Sequence, residues 1–280
     1  MQPAVLLDSS SDISLLQATE LGVHLLLQPI EFGGKTWLDS EEISSEQLYG
    51  PLRAGVARPA PFPMLVERYS TTLERLLERA NHVLAIHPNR YANGMLEVAQ
   101  QAASHFPGRV TVYNAQTLSI FMALLGERAV QGFDQGLSPQ QVMRQLDRFH
   151  QLSHSLLCLE TTEFLPEDSP SGQAVKHLSP SLKPILRAPG GQVELLTTAP
   201  DSTAALRIMR QRLQRQASDL RGGDVVFAHR DAAEQIAVLE KTARNLGLRV
   251  RFSTTFSLTV SAVLGPGAYA FGIFPPPAEI

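Results

Sequence analysis

Residues 4–14 read AVLLDSSSDIS, and this stretch sets the fold class of the chain. A short, continuously apolar run is typical of a strand buried on both faces of a parallel sheet, so AVLLD predicts the first strand. A second apolar run, VHLLLQPIEF from Val23, follows after a segment long enough for one short helix. The opening therefore predicts a β-α-β unit.

Three serines between two aspartates follow this first strand. One interpretation is a helix cap, in which Ser9, Ser10, Ser11 or Asp12 accepts an amide hydrogen at the start of the next helix. The other is a polar lip at the carboxyl end of a strand, where open α/β sheets bind ligands. The residues alone leave both interpretations open.

The alternation of strand and helix patterns continues along the first half of the chain. HVLAIHP and RVTVYNA read as strands, while GMLEVAQQAASHF, SIFMALLGERAVQGFDQG and SPQQVMRQLDRFHQL read as helices. Such alternation predicts an α/β fold with a mostly parallel sheet. VARPAPFPM, at residues 56–64, carries three prolines and is predicted to be a loop, neither helix nor central strand.

The composition changes after LLCLETTEFL, residues 156–165, where Pro, Ser and Gly become frequent. We place the lobe boundary just before this segment, near His154, and predict an N-terminal α/β lobe over residues 1–154. A smaller C-terminal α/β lobe is predicted over residues 155–280. It includes the hairpin-like LKPILRAPGGQVELLTT and a last strand, AYAFGIF.

Composition narrows the classes of partner and compartment. The net charge is −3 over 280 residues and no dense run of Lys or Arg occurs, which disfavours nucleic acid and an anionic membrane face. No apolar run reaches the roughly eighteen residues of a membrane span, and no secretion signal is recognised. Cys158 is the single cysteine, so no disulfide or thiolate zinc cluster is expected, and a cytoplasmic location is predicted.

Several catalytic and metal-binding patterns are incomplete in this sequence. Asp8 could accept a phosphoryl group, but Ser10 stands where a second, magnesium-assisting carboxylate would be needed. Ser10 follows a strand as a nucleophile would, without the flanking glycines of a strained elbow. His150 and His154 have the spacing of two ligands on one helical face, but no acid supplies a third. We therefore predict no catalytic residue, no metal and no cofactor, with an acyl- or phosphoryl-transfer enzyme using Ser10 or Asp8 as the alternative.

Six segments, in order and spacing, resemble the DegV family: VLLDSSSDIS, PIEFGGKTWLD, GLSPQQV, LKPIL followed by GGQVE, FAH before a helix, and GPGAYAFGIF. The resemblance covers nearly the whole chain. It implies a two-lobed α/β fold that binds one long-chain fatty acid, with the tail in the larger lobe and the head group between the lobes. The resemblance thus implies a non-enzymatic carrier, and in bacteria some members present the acid to a separate fatty-acid kinase.

The resemblance also implies a ligand set, in which several family residues are replaced. Ser9 and Ser10 would belong to the polar mouth of the lipid tunnel. The family threonine falls at Ala60 or Arg58 according to the alignment, and Arg58 could pair with the anion, with help from His87. The remaining implied lipid-binding positions are Asn93 and Gly94 for the Ser-Gly turn, Val263 for a histidine, and Gly265 and Gly267.

These departures leave other outcomes open. An unpaired buried carboxylate is costly, so a changed ligand set suggests a different head group, or a scaffold that binds no ligand. The segments that carry arginines in the family are also replaced, which weakens the expectation of a kinase partner.

Overall fold

The structure is a computed structural model. It describes residues 1–39, 43–54, 59–61, 64–88, 93–189, 192–220 and 222–275, with the backbone alone described at 45, 60 and 61. The predicted lipid-binding residue Arg58 lies outside the described residues, and only the backbone of Ala60 lies within them.

Strands and helices alternate along most of the chain. The strands are β1 Ala4–Asp8, β2 His24–Leu26, β3 Pro29–Phe32, β4 Lys35–Leu38, β5 Ala60–Pro61, β6 Val83–His87, β7 Val110–Asn114, β8 His154–Cys158, β9 Lys183–Arg187, β10 Glu194–Ala199, β11 Asp224–His229, β12 Arg249–Thr255 and β13 Tyr269–Phe274. The helices are α1 Leu15–Leu21, α2 Ser45–Arg53, α3 Val66–Leu77, α4 Met95–Ala103, α5 Ile120–Asp134, α6 Pro139–Leu152, α7 Pro170–Val175, α8 Ser202–Asp219, α9 Ala233–Asn245 and α10 Leu258–Leu264. The fold is α/β, as predicted.

The chain divides into two compact units that are interleaved in sequence. Unit 1 comprises Met1–Glu42, Gly55–Asp147 and Ser257–Thr259, and unit 2 comprises Ile43–Ala54, Arg148–Phe256 and Val260–Ile280. In this division α2 belongs to unit 2, and the first two residues of α10 belong to unit 1. The boundary at residue 154 and the smaller C-terminal lobe stay predictions.

Unit 1 is built on a parallel sheet with the order β2-β1-β6-β7. Successive side chains of β1 point to opposite faces, as a strand requires. Leu6 joins the core formed with α3 and α4, whereas Leu7 packs against α5. A Cβ at Gly126 of α5 would lie 2.9 Å from the Leu7 side chain, so this glycine permits the close approach of helix and strand. The sheet is thus covered by helices on both faces, which explains the unbroken apolar run of β1.

The second predicted strand is wrong in one respect, because VHLLLQPIEF forms two strands in different sheets. β2 pairs with β1, while β3 forms a small antiparallel sheet of order β4-β3-β5. The chain leaves the first sheet at Gln28, whose N–H donates to Ser9 Oγ and whose carbonyl accepts from the Asp39 N–H. β5, from the proline-rich segment, lies at the edge of the small sheet, where a strand without a full set of N–H donors is tolerated.

Unit 2 contains a six-stranded sheet of order β10-β9-β8-β13-β11-β12. Its neighbouring strands are antiparallel except for the parallel pair β11 and β12. One face is covered by α8 and α9, whose Met209, Leu213 and Leu239 join the buried core. β9 and β10 form the predicted hairpin, and β13 is the predicted last strand.

Candidate functional site

Asp8, at the carboxyl end of β1, is the centre of a buried polar network in unit 1. Its side chain is fully buried, and Oδ2 lies 2.6 Å from Nδ1 of His87 at the end of β6. Oδ1 accepts from the Ser10 backbone N–H at 2.8 Å, from the Ser10 hydroxyl, and from Nδ2 of Asn93 at 3.3 Å. β1 and β6 are adjacent parallel strands, so their carboxyl ends bring Asp8 and His87 together. The carboxylate is therefore surrounded by donors.

His87 continues this network to Tyr69 of α3. Its Nε2 lies 2.6 Å from the Tyr69 hydroxyl, and both side chains are fully buried. Burial and the charge of Asp8 raise the pKa of Tyr69 well above its ordinary value of 10.0, so the phenol keeps its proton. With Nε2 next to the Tyr69 hydroxyl and Nδ1 next to Asp8 Oδ2, each imidazole nitrogen has a hydrogen-bond partner. Both nitrogens of His87 are thereby used inside the protein.

The three serines have separate acceptors within the chain. Ser9 Oγ donates to Oδ2 of Asp39 at 3.1 Å, and Ser11 Oγ donates to the backbone carbonyl of Asp8 at 2.8 Å. Together with the bond from Ser10 to Asp8, this places each hydroxyl hydrogen on an oxygen of unit 1. The serines form a single 3₁₀ turn that Asp8 caps.

The helix-cap interpretation of Ser9–Asp12 is wrong for α1, because another residue performs that role. Ser14 Oγ accepts from the Gln17 N–H, and the Gln17 side chain accepts from the Ser14 N–H in return. Such a reciprocal pair satisfies two amide groups at the helix start. The three serines are therefore not needed at the start of α1, and their hydroxyls donate to other oxygens of unit 1.

Two further buried carboxylates, Asp12 and Asp39, border the serine turn. Asp12 Oδ1 accepts from the Ser257 N–H at 2.8 Å, and Asp39 Oδ1 accepts from the Thr259 N–H at 3.0 Å. Burial raises the pKa of Asp12 to about 7, against the lowering effect of hydrogen bonds from Ser119 and Ser257. Burial also raises the pKa of Asp39 to about 6, opposed by Thr259 and Ser9. These bonds explain why Ser257–Thr259 belongs to unit 1.

Asn93 precedes the first turn of α4 and has both ends of its amide engaged. Oδ1 accepts from the Met95 N–H at 3.0 Å, while Nδ2 donates to Asp8. The side chain is half-buried, unlike the fully buried residues around it. Gly94, in the left-handed region at a φ of 71°, turns the chain into the helix. Ser10 and Asn93, two predicted site residues, therefore meet at one carboxylate.

The other predicted site residues have different surroundings. Ser9 lies next to this centre and is bound to Asp39, and the Ala60 backbone pairs with Glu31 in the small sheet. His87, which was expected to help hold a head group, is instead the partner of Asp8 and Tyr69.

Val263, Gly265 and Gly267 belong to unit 2. Val263 lies in α10, and the Gly265 N–H donates to the Ser261 carbonyl at 3.0 Å. The Gly267 N–H donates to the Arg230 carbonyl at 2.9 Å. The backbone N–H groups of both glycines are thus engaged within unit 2, as the turn into the last strand requires.

The sequence reasoning missed Asp39, Tyr69 and the structural role of Asp12. Asp39 directly follows β4, and Asp8 is the last residue of β1, so a carboxylate at a strand end is a signal that could have been used for both. Tyr69 lies four residues before Leu73 on the apolar face of α3, where an aromatic residue reads as core. Its hydroxyl partner cannot be recognised without the fold.

Metal and thiol chemistry find little support in the described part of the chain. Within that part, no group of three or more His, Cys, Asp or Glu side chains is arranged to hold a metal. The two-histidine hypothesis is wrong in its geometry, because His150 lies in α6 while His154 begins β8. Burial raises the pKa of the Cys158 thiol to about 12. No helix in the described ranges is long and apolar enough to cross a membrane.

Fold and site together define a class: a two-unit α/β protein with a buried polar network at the carboxyl ends of a parallel sheet. Residues 2–276 match the family model of the DegV family, so the chain belongs to that family. A DegV domain-containing protein of Deinococcus radiodurans is 27% identical over 278 residues, which cover 98% of this chain and 99% of the relative.

Solved structures show the same fold. A DegV family protein from Thermus thermophilus, described for its fatty acid binding, is 26% identical with a TM-score of 0.88, and the match covers 99% of this chain and 100% of the relative. DegV of Bacillus subtilis, described as a fatty acid binding protein, is 17% identical with a TM-score of 0.84 over 99% and 100% of the two chains. The second comparison bears on the fold alone.

Proposed function

We propose that this protein is a non-enzymatic carrier that binds one long-chain fatty acid or a similar lipid. The observation that carries the proposal is the Asp8 network, a buried polar site at the strand ends where α/β sheets bind ligands, in a chain of the DegV family. The fatty acid binding of the 26% identical Thermus thermophilus protein supports the choice of ligand.

The apolar tail supplies most of the binding free energy in such a carrier. Each methylene removed from water contributes about 0.8 kcal/mol, so a long chain binds strongly even when the head group makes few hydrogen bonds. The head group then mainly fixes the position and identity of the ligand. The serine hydroxyls of the described site donate to oxygens of the protein itself, which is compatible with this division of roles.

The hydrogen bonds around Ser10 and Asp8 argue against the enzyme alternative. A serine nucleophile needs a base that removes its proton, and His87 has both nitrogens engaged by Asp8 and Tyr69. The Ser10 hydroxyl donates directly to Asp8. Phosphoryl transfer to Asp8 would require a fully buried carboxylate to exchange its donors for the incoming group.

The test is lipid analysis of the purified protein. Protein isolated under native conditions is extracted with organic solvent, and the extract is analysed by mass spectrometry beside an equal mass of an unrelated protein from the same host. We expect about one long-chain acid per chain, displaced by added palmitic acid. A lipid-free protein that also fails to bind a fluorescent fatty acid would refute the carrier and favour a scaffold.

Delivery to a fatty-acid kinase and a cytoplasmic location complete the proposal. The single cysteine supports a reducing compartment. The kinase is supported only by family resemblance, and a pull-down with a bacterial fatty-acid kinase tests it directly: retention of the lipid-loaded protein supports the partnership, and no retention removes it.

A further inference from the structure

We propose that the binding of an acidic lipid is coupled to the uptake of protons, and that Asp12 and Asp39 are the groups that receive them. The two carboxyl groups then make the affinity for the acid depend on pH, whereas a neutral lipid with the same chain binds without a proton. This inference rests on the proposed function and concerns the regulation of the same site.

Three buried carboxyl groups surround the serine turn. Asp8 caps the turn at its start, and Asp12 ends it, with its N–H donating to the Ser9 carbonyl at 3.2 Å. Asp39 reaches the turn through Oδ2, which accepts from Ser9 Oγ at 3.1 Å. The exposed fractions of Asp8, Asp12 and Asp39 are 0%, 8% and 3%. Three acids therefore lie within a short stretch of unit 1 that water scarcely reaches.

The described contacts of Asp39 are hydrogen bonds from neutral donors. Oδ2 accepts from the Ser9 hydroxyl, and Oδ1 accepts from the Thr259 N–H at 3.0 Å. Burial raises the pKa of Asp39 to about 6, and repulsion from Asp8 adds to the rise, while the bonds from Thr259 and Ser9 oppose it. The imidazole of His87 contacts Asp8, 2.6 Å from Oδ2. The cost of a charge on Asp39 is thus only partly offset by its neighbours.

Asp12 has surroundings of the same kind. Oδ1 accepts from the Ser257 N–H at 2.8 Å. Burial raises the pKa of Asp12 to about 7 and repulsion from Asp39 contributes, while hydrogen bonds from Ser119 and Ser257 oppose the rise. A carboxyl group with a pKa near neutrality is partly protonated there, so a small change in its surroundings alters the number of bound protons.

A bound lipid carboxylate is such a change. In the proposed site the head group lies at the serine turn, where it adds one negative charge beside the acids of the turn. A like charge disfavours ionisation and raises the pKa of a neighbouring carboxyl group, and burial strengthens the repulsion. The complex therefore holds more protons than the free protein at any pH between the pKa values of the two states.

The sign of the pH dependence follows from this difference. A lipid carboxyl group in water has a pKa near that of a glutamate side chain, about 4.3, so the free ligand stays ionised near neutral pH. As the pH rises through the pKa values of Asp39 and Asp12, the free protein loses protons that the complex keeps. The affinity for the acid should then fall about tenfold for each unit by which the ligand raises the pKa of one group.

Isothermal titration calorimetry counts the protons directly. Dodecanoic acid and its methyl ester are titrated into the full chain, freed of lipid, near neutral pH in phosphate and in Tris, which differ in their heats of ionisation. The dependence of the binding heat on the buffer gives the number of protons taken up. We expect net uptake with the acid and none with the ester, and equal values for the two ligands would overturn the inference.

Substitutions assign the protons to residues. Asp12→Asn and Asp39→Asn should each reduce the uptake and flatten the pH dependence of the affinity for the acid, and the double variant should abolish both. Asp168→Asn, at an exposed carboxyl group, is the matched control and should keep the uptake of the unmodified protein. If the double variant still takes up protons, the carboxylate of the ligand receives them and the inference is overturned.

Carbon-13 NMR of the unmodified protein covers the case in which a variant fails to fold. With aspartate labelled at the side-chain carboxyl carbon, a pH titration reports the protonation of Asp12 and Asp39 with and without ligand. At least one of the two should titrate at a higher pH in the presence of the acid and at the original pH in the presence of the ester. Unchanged titrations would overturn the inference.

The outcomes separate the two proposals. If neither dodecanoic acid nor its ester binds the unmodified protein, the carrier proposal fails. If both bind, and the acid is bound without proton uptake, the carrier stands and the proton coupling fails.

Discussion

Replacing Asp12 with asparagine should stabilise the protein at neutral and alkaline pH. Burial raises the pKa of this carboxyl from 3.8 to about 7, so the folded state holds the proton more tightly than the unfolded chain does. The contribution of Asp12 to stability is therefore greatest when it is protonated, below about pH 4. It decreases as the pH rises to about 7 and stays constant above that value.

The size of the effect follows from the same pKa values. A tenfold change in an equilibrium constant is about 1.4 kcal/mol, so a rise from 3.8 to about 7 corresponds to roughly 4 kcal/mol of folding free energy above pH 7. Asparagine removes this penalty and can still accept from the Ser257 N–H. It also tolerates the left-handed backbone at residue 12, where φ is 55°.

The assay is urea unfolding between about pH 4 and pH 8, followed by fluorescence of Trp37. Trp37 is the single tryptophan and lies in β4 of unit 1, the unit that contains Asp12. The stability of Asp12→Asn should exceed that of the parent by an amount that grows with pH, whereas the exposed control Asp168→Asn should follow the parent. A constant difference across the pH range would refute the reasoning.

Three further predictions use other parts of the structure. Asp39→Asn should also increase the stability at higher pH in the same urea series, by a smaller amount that reaches its full size by about pH 6, because burial raises the pKa of Asp39 to about 6. A gain in stability that persists at low pH would contradict this prediction. Gly265→Ala should lower the melting temperature, because φ at this residue is 79° and the new Cβ would lie 2.6 Å from the Phe164 side chain. Gly50→Ala, where a Cβ would meet open space within α2, should raise the melting temperature slightly. Equal shifts in the two variants would contradict the packing argument. Cys158, with its pKa raised to about 12 by burial, should resist a thiol reagent in the native protein and react fully in urea, and rapid native labelling would be the contrary result.

The sequence predicts the elements of the fold better than their assignment to sheets. The apolar run of β1 and the hairpin of β9 and β10 are recognisable because each pattern is local. The division of residues 23–32 into two strands is not local. It depends on two hydrogen bonds of the Gln28 backbone. One is made with Ser9, nineteen positions earlier, and the other with Asp39, which follows the hairpin of β3 and β4. No periodicity in the run itself marks the break.

The candidate site was predicted in part for a similar reason. Ser10 and Asn93 were identified and meet at Asp8, but the network that gives them their roles includes Tyr69 and His87 from α3 and β6. A buried tyrosine and a buried histidine each resemble ordinary core residues in sequence. Their significance depends on the two 2.6 Å contacts that the tertiary fold creates.

The three consecutive serines can be explained by the cost of burying charge. An ionised carboxylate taken from water is destabilised by several kcal/mol unless donors replace the lost water. Ser10 donates to Asp8 and Ser9 donates to Asp39, while Ser11 closes the turn on the Asp8 carbonyl. One cap would need one hydroxyl, whereas two buried carboxylates and a turn need three. The serines therefore act first on the protein's own acids.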